Sequence, residues 1–232
     1  MMPQRLALFD LDHTLLPLDS DYQWADFLAR TGRAGDPAEA RRRNNDLMDR
    51  YNQGQLTAEQ AAEFMLGLLA AHTPYELAVW HEEFMAQVIR PDITPQAIQL
   101  VEQHLAAGDL CALVTATNSF VTAPIARAFG ISQLIATDAE YRNGRYTGRI
   151  HGTPSFKEGK VVRVNQWLAT LNLTVADFSE SYFYSDSIND VPLLDIVTHP
   201  VAANPSPALR NIAQARGWKV LDLFEHMEDA KS

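Results

Sequence analysis

The sequence predicts an α/β fold: a doubly wound parallel sheet with an inserted all-helical cap. Three observations lead to this prediction: short apolar runs recur along the 232 residues, polar clusters follow several of these runs, and a long helical stretch separates the first run from the second. Continuous apolar runs of roughly 4–8 residues are typical of strands that are buried on both faces of a parallel sheet. Such runs occupy residues 6–9, 110–114, 182–185, 200–203 and 218–221.

Helix-start signals fill the stretch between the first two apolar runs. Thr57 begins a Thr-Ala-Glu-Gln capping box, and Thr73 begins a second one with Pro74 at the first helical position. Thr94 precedes a further helix, which Gly108 ends. The apolar residues between these signals follow helical spacing. The sequence therefore predicts several helices here and no strand.

A helical stretch of this length is longer than a simple crossover between parallel strands requires. We therefore predict a helical cap at residues 17–91, inserted into a catalytic core formed by residues 1–16 and 92–232. In the second half of the core, Asn143 and Gly144 predict the turn of a β-hairpin.

The charge and composition restrict the possible partners. With 19 basic and 29 acidic residues the net charge is −10, which disfavours nucleic acids and anionic membranes as partners. No apolar stretch approaches the roughly 20 residues of a membrane span. The single cysteine, Cys111, excludes an intrachain disulfide. We expect a cytoplasmic protein that acts on a small molecule and contacts neither nucleic acid nor membrane; the sequence does not indicate an oligomeric state.

Two aspartates follow the first apolar run. Asp10 and Asp12 are two residues apart at a strand end, so both carboxylates face the same side. Carboxylates this close repel each other unless a cation or a proton lies between them. The alternative is a loop with two solvated aspartates, but the buried strand before them favours a site.

Polar residues also follow the second and third runs. Thr115 comes directly after the second run, at a strand-to-helix turn whose free backbone N–H groups can bind an anion; a helix cap is the alternative. After the third run come Asp186, Asn189 and Asp190. Because the carboxyl ends of parallel strands gather ligands at one edge, these groups are expected to converge with Asp10. Carboxylates grouped in this way repel each other unless a cation lies between them. Because Mg²⁺ prefers oxygen ligands, the sequence predicts a magnesium site.

Two lysines stand at the start of a predicted helix, where the helix dipole disfavours positive charge. Ser155 and Glu158 predict a capping box for this helix. Either Lys157 or Lys160 could therefore be held there to bind an anion, whereas a surface lysine is the alternative for each.

Together these motifs resemble the haloacid dehalogenase-like superfamily of phosphatases, specifically its phosphoserine phosphatase-like branch. The matching segments are FDLDHTLL, VTATN, FKEGK and YSDSIND, which cover residues 9–16, 114–118, 156–160 and 184–190. The first and the last are specific as a pair, and the middle two are weak alone. The resemblance implies a Rossmann-like core, a cap over the site, and Mg²⁺-dependent hydrolysis of phosphomonoesters.

The resemblance also implies roles for individual residues. Asp10 would be the nucleophile that forms an aspartyl-phosphate, and Asp12 the general acid and base. Thr115 and the amide of Ala116 would bind phosphate oxygens. Mg²⁺ would be held by Asp186 and Asp10, together with the backbone carbonyl of Asp12.

Further roles are implied for the remaining motif residues. Lys160 is preferred to Lys157 as the phosphate-binding lysine because its separation from the last motif fits the family better. Asn118, Asn189 and Asp190 are assigned to substrate binding.

The substrate is predicted from the cap. Asp19 matches a position where phosphoserine phosphatases carry a glutamate that pairs with the substrate's ammonium group; a helix N-cap is the alternative. The stretch 63–72 lacks the arginine that would hold a substrate carboxylate. The segment DSDYQW, residues 19–24, also resembles bacterial members tied to histidinol-phosphatase activity. We therefore rank histidinol phosphate ahead of phosphoserine.

Four other functions match part of this pattern of residues. A phospho-accepting signalling domain also uses paired acids, Thr and Lys at strand ends, but it is much shorter and lacks a long insertion. A dehalogenase would need neither Asp12 nor a metal. A phospholipid phosphatase would be expected to carry a membrane-anchoring segment, and a catalytically inactive relative would be expected to lack some of the motif residues.

Overall fold

The computed structural model describes residues 5–224; residues 1–4 and 225–232 lie outside the described part. Within it, seven strands form one sheet in the order β4-β3-β2-β1-β5-β6-β7. Neighbouring strands pair in parallel, except for the antiparallel pair β3 and β4 at one edge. The strands are β1 Arg5–Phe9, β2 Leu110–Asn118, β3 Gln133–Arg142, β4 Arg145–His151, β5 Glu180–Ser185, β6 His199–Ala203 and β7 Lys219–Leu221.

Helices cover the sheet and form the insertion. They are α1 Ser20–Arg30, α2 Pro37–Asn52, α3 Ala58–Ala70, α4 Pro74–Phe84, α5 Arg90–Asp92, α6 Pro95–Ala106, α7 Ser119–Ala128, α8 Glu158–Thr170, α9 Val191–Leu194 and α10 Pro207–Arg216. A π-helical turn, Met85–Ile89, joins α4 to α5, and two 3₁₀ turns lie at Val175–Asp177 and Ile188–Asp190. The predicted α/β class with a helical insertion after β1 is confirmed.

The central strand β1 aligns the strand ends that carry the polar motifs. It is apolar on both faces, and its last four residues, 6–9, are fully buried, as expected for a strand between two helical layers. Phe9 pairs with Leu113 of β2 on one side and with Tyr184 of β5 on the other. The segments that follow these three strands therefore begin at the same edge of the sheet.

The five apolar runs all form strands, whereas β3 was missed. Only part of β3 is buried, because its second half leaves the parallel sheet and pairs with β4. The predicted hairpin turn joins these two strands. Asn143 and Gly144 both have positive φ, 51° and 78°, which is the conformation that a two-residue hairpin turn requires.

The predicted helix starts within the insertion are confirmed. Thr57 and Thr73 each accept a hydrogen bond from the backbone three residues ahead, and the side chains of Gln60 and Glu76 bond back to the cap residue. Thr94 caps α6 in the same way. Each cap satisfies backbone donors that would otherwise have no partner at a helix start.

The insertion and the sheet share one apolar cluster. Phe9 of β1 and Val121 of α7 belong to the same buried set as Trp24 of α1, Leu66 of α3 and Phe84 of α4. A second, smaller set lies only between α1, α2 and α3. The cap at 17–91 therefore has no separate main core, and its division from the rest of the chain stays a prediction.

His81 connects the insertion to the core. It is 4% exposed, stacks on Trp24 with ring centroids 5.5 Å apart, and places Nε2 2.9 Å from the carbonyl oxygen of Val121. Burial lowers the pKa of His81, so the ring is neutral and Nε2–H donates to this carbonyl.

We expect His81→Ala to lower the free energy of unfolding by about 3 kcal/mol at pH 7, because a buried ring and its hydrogen bond are lost. Urea unfolding measures this. The difference in unfolding free energy between wild type and variant should become smaller below about pH 6.5. At that pH the histidine of the unfolded wild type binds a proton, whereas the buried ring in the folded state does not, so the wild type loses stability as the pH falls. His72→Ala, at a half-buried ring, is the control and should cost less. An equal effect of both variants would contradict the role given to His81.

Candidate active site

A cavity of about 700 Å³ opens where β1, β2 and β5 end. Asp10, Thr115 and Asp186 line its floor, on the side of the sheet. Met48 of α2 and Met65 of α3 line the opposite wall. The aligned strand ends thus bring together polar motifs that are far apart in the sequence, and the helical insertion covers them.

Lys160 forms the centre of the floor. Its Nζ lies 2.9 Å from Asp10 Oδ1 and 2.7 Å from Asp190 Oδ2, and its side chain is 3% exposed. Burial lowers the pKa of Lys160, but the two carboxylates outweigh burial and raise it, so the ammonium group stays charged. This geometry selects Lys160 over Lys157, which is exposed and lies over the ring of Phe156 at 5.2 Å.

Asp190 acts through Lys160. Its Oδ2 accepts hydrogen bonds from Lys160 and, at 2.7 Å, from Ser185 Oγ, while burial raises its pKa to about 6. Asp190 borders the cavity, and its contacts also hold the lysine in position. The assignment of Asp190 to substrate binding stays a prediction.

Asp10 and Asp186 lie on either side of the Thr14 hydroxyl. Thr14 Oγ1 is 3.4 Å from Asp10 Oδ2 and 3.2 Å from Asp186 Oδ1. Burial, then Asp10 and Asp190, raise the pKa of Asp186 to about 8, and burial also raises the pKa of Asp10. Asp10 and Asp190 thus share one lysine, and Asp186 lies beside them without an ion pair to it; a cation at this position would favour the ionised form of Asp186.

The donor set can be compared with the implied metal ligands. Within residues 5–224, no three His, Cys, Asp or Glu side chains come close enough together to hold a metal ion. The implied Mg²⁺ ligands include only two side chains, those of Asp10 and Asp186, with a backbone carbonyl as the third protein ligand. Asp10 and Asp186 lie on either side of the Thr14 hydroxyl, which is compatible with such a set.

Asp12 faces away from the lysine. Its Oδ1 accepts a hydrogen bond from Ser20 N at 2.8 Å, and its Oδ2 accepts one from Thr117 Oγ1 at 2.7 Å. Burial, then the nearby Asp19, raise the pKa of Asp12 to about 6. A carboxyl group with this pKa can both give and take a proton near neutral pH. Its side chain is engaged elsewhere, so only its backbone is available to a metal beside Asp10.

Thr115 and Ala116 lie within β2, in the stretch between Val114 and Asn118 where the pairing register with β3 shifts. Thr115 is 1% exposed, and its Oγ1 accepts a hydrogen bond from Thr117 N at 3.2 Å, which leaves its own hydroxyl proton for another acceptor. Ala116 is exposed to the cavity. Sequence reasoning missed Thr117, although it stands in the same VTATN motif; its contact with Asp12 depends on the fold.

Asn118 does not contact the cavity in the manner predicted. It is 3% exposed, its Oδ1 caps α7 through Val121 N at 3.1 Å, and its Nδ2 donates to Asp21 Oδ1 at 2.8 Å. Both amide atoms are therefore engaged, and Asn118 is not among the residues that line the cavity, so the structure does not support the predicted direct contact with a substrate. Sequence reasoning missed Asp21, since an acid in the first turn of a helix is common for the dipole alone.

Asp19 and Asn189 both line the cavity. Asp19 is also the N-cap of α1, and its Oδ1 accepts a hydrogen bond from Tyr22 N at 2.7 Å. The two interpretations of Asp19 are therefore compatible. Asn189 lies in the 3₁₀ turn after β5, where its backbone N–H bonds to Ser187 Oγ at 3.2 Å, so its side chain remains available to a ligand.

With this geometry established, the chain can be compared with known proteins. A family model described as haloacid dehalogenase-like hydrolase matches residues 7–195. The chain belongs to this family.

Two similar proteins are both named as phosphatases. It is 44% identical over 220 residues to a protein of Neisseria meningitidis serogroup C named histidinol-phosphatase, and the match covers 94% of this chain and 99% of the relative. It is 34% identical over 178 residues to a Mycobacterium tuberculosis protein named phosphoserine phosphatase, covering 76% of this chain and 56% of that one.

Solved structures show the same fold. A Bordetella pertussis Tohama I protein of unknown function is 81% identical, with a TM-score of 0.95 over 96% of this chain and all (100%) of that one. A substrate-bound phosphoserine phosphatase has 17% identity and a TM-score of 0.67 over 98% of each chain. Together with the relatives, these matches confirm the predicted family, its phosphoserine phosphatase-like branch and the enzyme class, a phosphatase.

The helix that carries Lys160 begins differently from the prediction. Ser155 is fully buried. Its backbone N–H donates a hydrogen bond to Thr137 Oγ1 at 3.1 Å, and its hydroxyl donates one to the carbonyl oxygen of Ile135 at 3.4 Å. The predicted capping box with Glu158 is therefore wrong, because Ser155 bonds to β3. The helix starts after Lys157, which has a positive φ of 51°.

A glycine permits this tight entry into the helix. A Cβ built on Gly159 would lie 2.1 Å from the carbonyl oxygen of Pro154, whereas one on Gly67 of α3 would meet nothing within 4 Å. We expect this close backbone approach to hold Lys160 beside Asp10.

We expect Gly159→Ala to lower the free energy of unfolding by about 1–3 kcal/mol and phosphatase activity by roughly tenfold or more, since Lys160 is displaced from its carboxylates. Thermal unfolding and initial rates measure these effects. Gly67→Ala is the matched control, expected to be neutral or slightly stabilising. A Gly159→Ala protein with wild-type activity would show that the close approach is not needed.

Proposed function

We propose that this hydrolase is a Mg²⁺-dependent phosphatase of small phosphomonoesters, with histidinol phosphate as its preferred substrate. The observation that carries the proposal is a charge arrangement within one cavity. A lysine-bound Asp10 lies at the floor beside Asp186, and the walls beyond it carry further acids. The match to the Neisseria histidinol-phosphatase over nearly the whole of both chains supports this choice.

In the first step, a carboxylate oxygen of Asp10 attacks phosphorus and the bond from phosphorus to the alcohol oxygen breaks. Asp12 gives its proton to the departing oxygen, so the alcohol leaves neutral and Asp10 carries the phosphoryl group. In the second step Asp12 takes a proton from water, the water oxygen attacks phosphorus, and phosphate leaves Asp10. Two such displacements replace one difficult hydrolysis by two easier steps.

Two anions must approach each other in this reaction, so the phosphoryl charge has to be offset. The Lys160 ammonium, the Thr115 hydroxyl and the Ala116 amide would bind the phosphoryl oxygens. Mg²⁺ would be held by the carboxylates of Asp10 and Asp186 with the backbone carbonyl of Asp12, and it supplies positive charge to the phosphoryl group when bound.

The choice of substrate depends on the charges that line the rest of the cavity. Among the lining residues in the described part of the chain there is no arginine, and Lys160 is already paired. Phosphoserine would bury its carboxylate here without a partner, which is costly. Histidinol phosphate has an ammonium group and an imidazole ring but no carboxylate. Phosphoserine remains the second candidate, because the Mycobacterium relative is named for it.

A substrate panel tests the proposal. Purified enzyme is assayed for phosphate release from histidinol phosphate, phosphoserine and p-nitrophenyl phosphate, with Mg²⁺ and then with excess EDTA. We expect turnover of all three to require Mg²⁺, and kcat/KM for histidinol phosphate to exceed that for phosphoserine by at least about tenfold. A preference for phosphoserine would reverse the substrate assignment, and full activity in EDTA would exclude the metal.

The remaining elements of the proposal are organisational. Residues 17–91 would form the cap, and residues 1–16 and 92–232 the catalytic core. In the described residues no helix is long and apolar enough to cross a bilayer, and the expectation of a small-molecule partner in the cytoplasm belongs to this proposal.

A further inference from the structure

The cavity wall opposite the lysine carries two acids without a lysine or arginine partner. Asp19 and Asp21 both line it, at the start of α1, and no lysine or arginine within residues 5–224 forms an ion pair with either. Asp26, five residues after Asp21 on the same helix, differs: Arg41 lies 2.9 Å from it and Arg30 3.9 Å. The acid outside the cavity thus has arginine partners, and the two inside it have none among the described residues.

Asp21 is held in place by a residue that serves no other carboxylate. Asn118 Nδ2 donates to Asp21 Oδ1 at 2.8 Å, while Asn118 Oδ1 is fixed by Val121 N at 3.1 Å. The amide orientation is therefore determined by α7, and the amide can present only its donor to Asp21. Such a neutral donor orients the Asp21 side chain without supplying a counter-charge. Burial, then Asp19 and Asp12, raise the pKa of Asp21, and a bound cation would favour its ionised form.

The neighbouring surface suits the carbon skeleton of a ligand. Met48, Met65 and the alanines 58, 61 and 62 line the same wall, and thioether side chains adapt to rings and alkyl chains alike. An apolar wall next to unpaired carboxylates is complementary to an organic cation. A second anion on the ligand would be repelled there.

We propose that Asp21, oriented by Asn118, is a specificity-determining residue that binds the cationic group of the substrate. The substrate class is a phosphomonoester whose alcohol carries an ammonium or imidazolium group and no carboxylate. This inference rests on the proposed phosphatase function and extends it to a residue whose contacts are with the substrate's side group. Asp19 adds to the negative charge of this wall, but one of its carboxylate oxygens caps α1, so its side chain is less free to turn toward a ligand.

The test compares substrates with and without the cationic group. The selectivity of each variant is the ratio of kcat/KM for histidinol phosphate to that for p-nitrophenyl phosphate, both with Mg²⁺ present. For Asp21→Asn we expect this ratio to fall at least tenfold, mainly through a higher KM for histidinol phosphate. Asn118→Ala should lower the ratio in the same direction, and Asp21→Glu, which keeps the charge, should lower it less than Asp21→Asn does.

The control is Asp26→Asn, the same substitution on the same helix outside the cavity, and it should leave the ratio at its wild-type value. Thermal unfolding of each variant identifies losses due to folding, which lower both rates and not their ratio. An unchanged ratio in Asp21→Asn would overturn the inference. If wild-type enzyme hydrolyses neither substrate, the proposed function itself has failed, so the two failures are distinguishable.

Discussion

Asp10→Asn is expected to reduce phosphate release by at least about 1,000-fold, because an amide cannot serve as the nucleophile for phosphorus. The substitution conserves shape and leaves Lys160 with Asp190 as its carboxylate partner. It also replaces a carboxyl group whose pKa is raised by burial with a neutral amide, so the loss of stability should be small. Initial rates with p-nitrophenyl phosphate and Mg²⁺, with thermal unfolding in parallel, measure both effects.

The control for this result is Asp138→Asn, a strand carboxylate outside the cavity that pairs with Arg163. It should retain at least about half of the wild-type rate, since it lies apart from the reacting groups. An Asp10→Asn enzyme with more than a few per cent of wild-type activity, under conditions that exclude deamidation, would refute the assignment of Asp10 as nucleophile.

Lys160→Met should reduce both activity and stability, whereas Lys157→Met should affect neither by much. Removing the buried ammonium group leaves Asp10, Asp186 and Asp190 without a cation, and breaking a buried ion pair from one side costs about 3–5 kcal/mol. The rate should fall by at least about 100-fold because the phosphoryl group loses its fixed positive partner. Urea unfolding and initial rates measure these effects. Similar losses in the two variants would contradict the choice of Lys160.

The stability deficit of Lys160→Met should depend on pH in a defined direction. Without the lysine, the pKa values of the three carboxyl groups rise further above the roughly 3.9 of an unfolded aspartate. The folded state then binds more protons than the unfolded state, so the variant gains stability as pH falls. Because wild-type Asp190 and Asp186 already have pKa values of about 6 and about 8, the deficit should be largest near pH 8 and smaller near pH 5.

The floor of the site could be predicted from the sequence because its signals are local. Asp10, Thr115 and Asp186 each follow an apolar run, and parallel strands bring such positions to one edge. The choice of lysine could be predicted only through the family resemblance, which favours Lys160. The residues alone do not separate Lys157 from Lys160, because which of the two points inward depends on how the chain enters α8.

The opposite wall could not be predicted in the same way. Asp21 and Thr117 lie in elements that are far apart in the sequence from their partners, Asn118 and Asp12 respectively, and nothing in local spacing connects them. Ser155 shows the same limit, since its resemblance to a helix cap was overridden by hydrogen bonds to β3. The roles of these residues depend on contacts between segments that are far apart in the chain, and a single sequence does not reveal such contacts.

The apolar cluster that joins the insertion to the sheet has a consequence for substrate entry. Trp24 of α1 and Phe84 of α4 belong to this cluster, and the Trp24 ring lies 5.5 Å from that of Phe120 in α7, so we expect α1 and α4 to stay in place against the core. α3 is held in the same cluster by Leu66 and Leu69, whereas α2 contributes only Leu47 to a small buried set with α1 and α3. We therefore expect α2 to be the segment that moves when the ester enters and the alcohol leaves, while the acids of α1 keep their position relative to the catalytic aspartates.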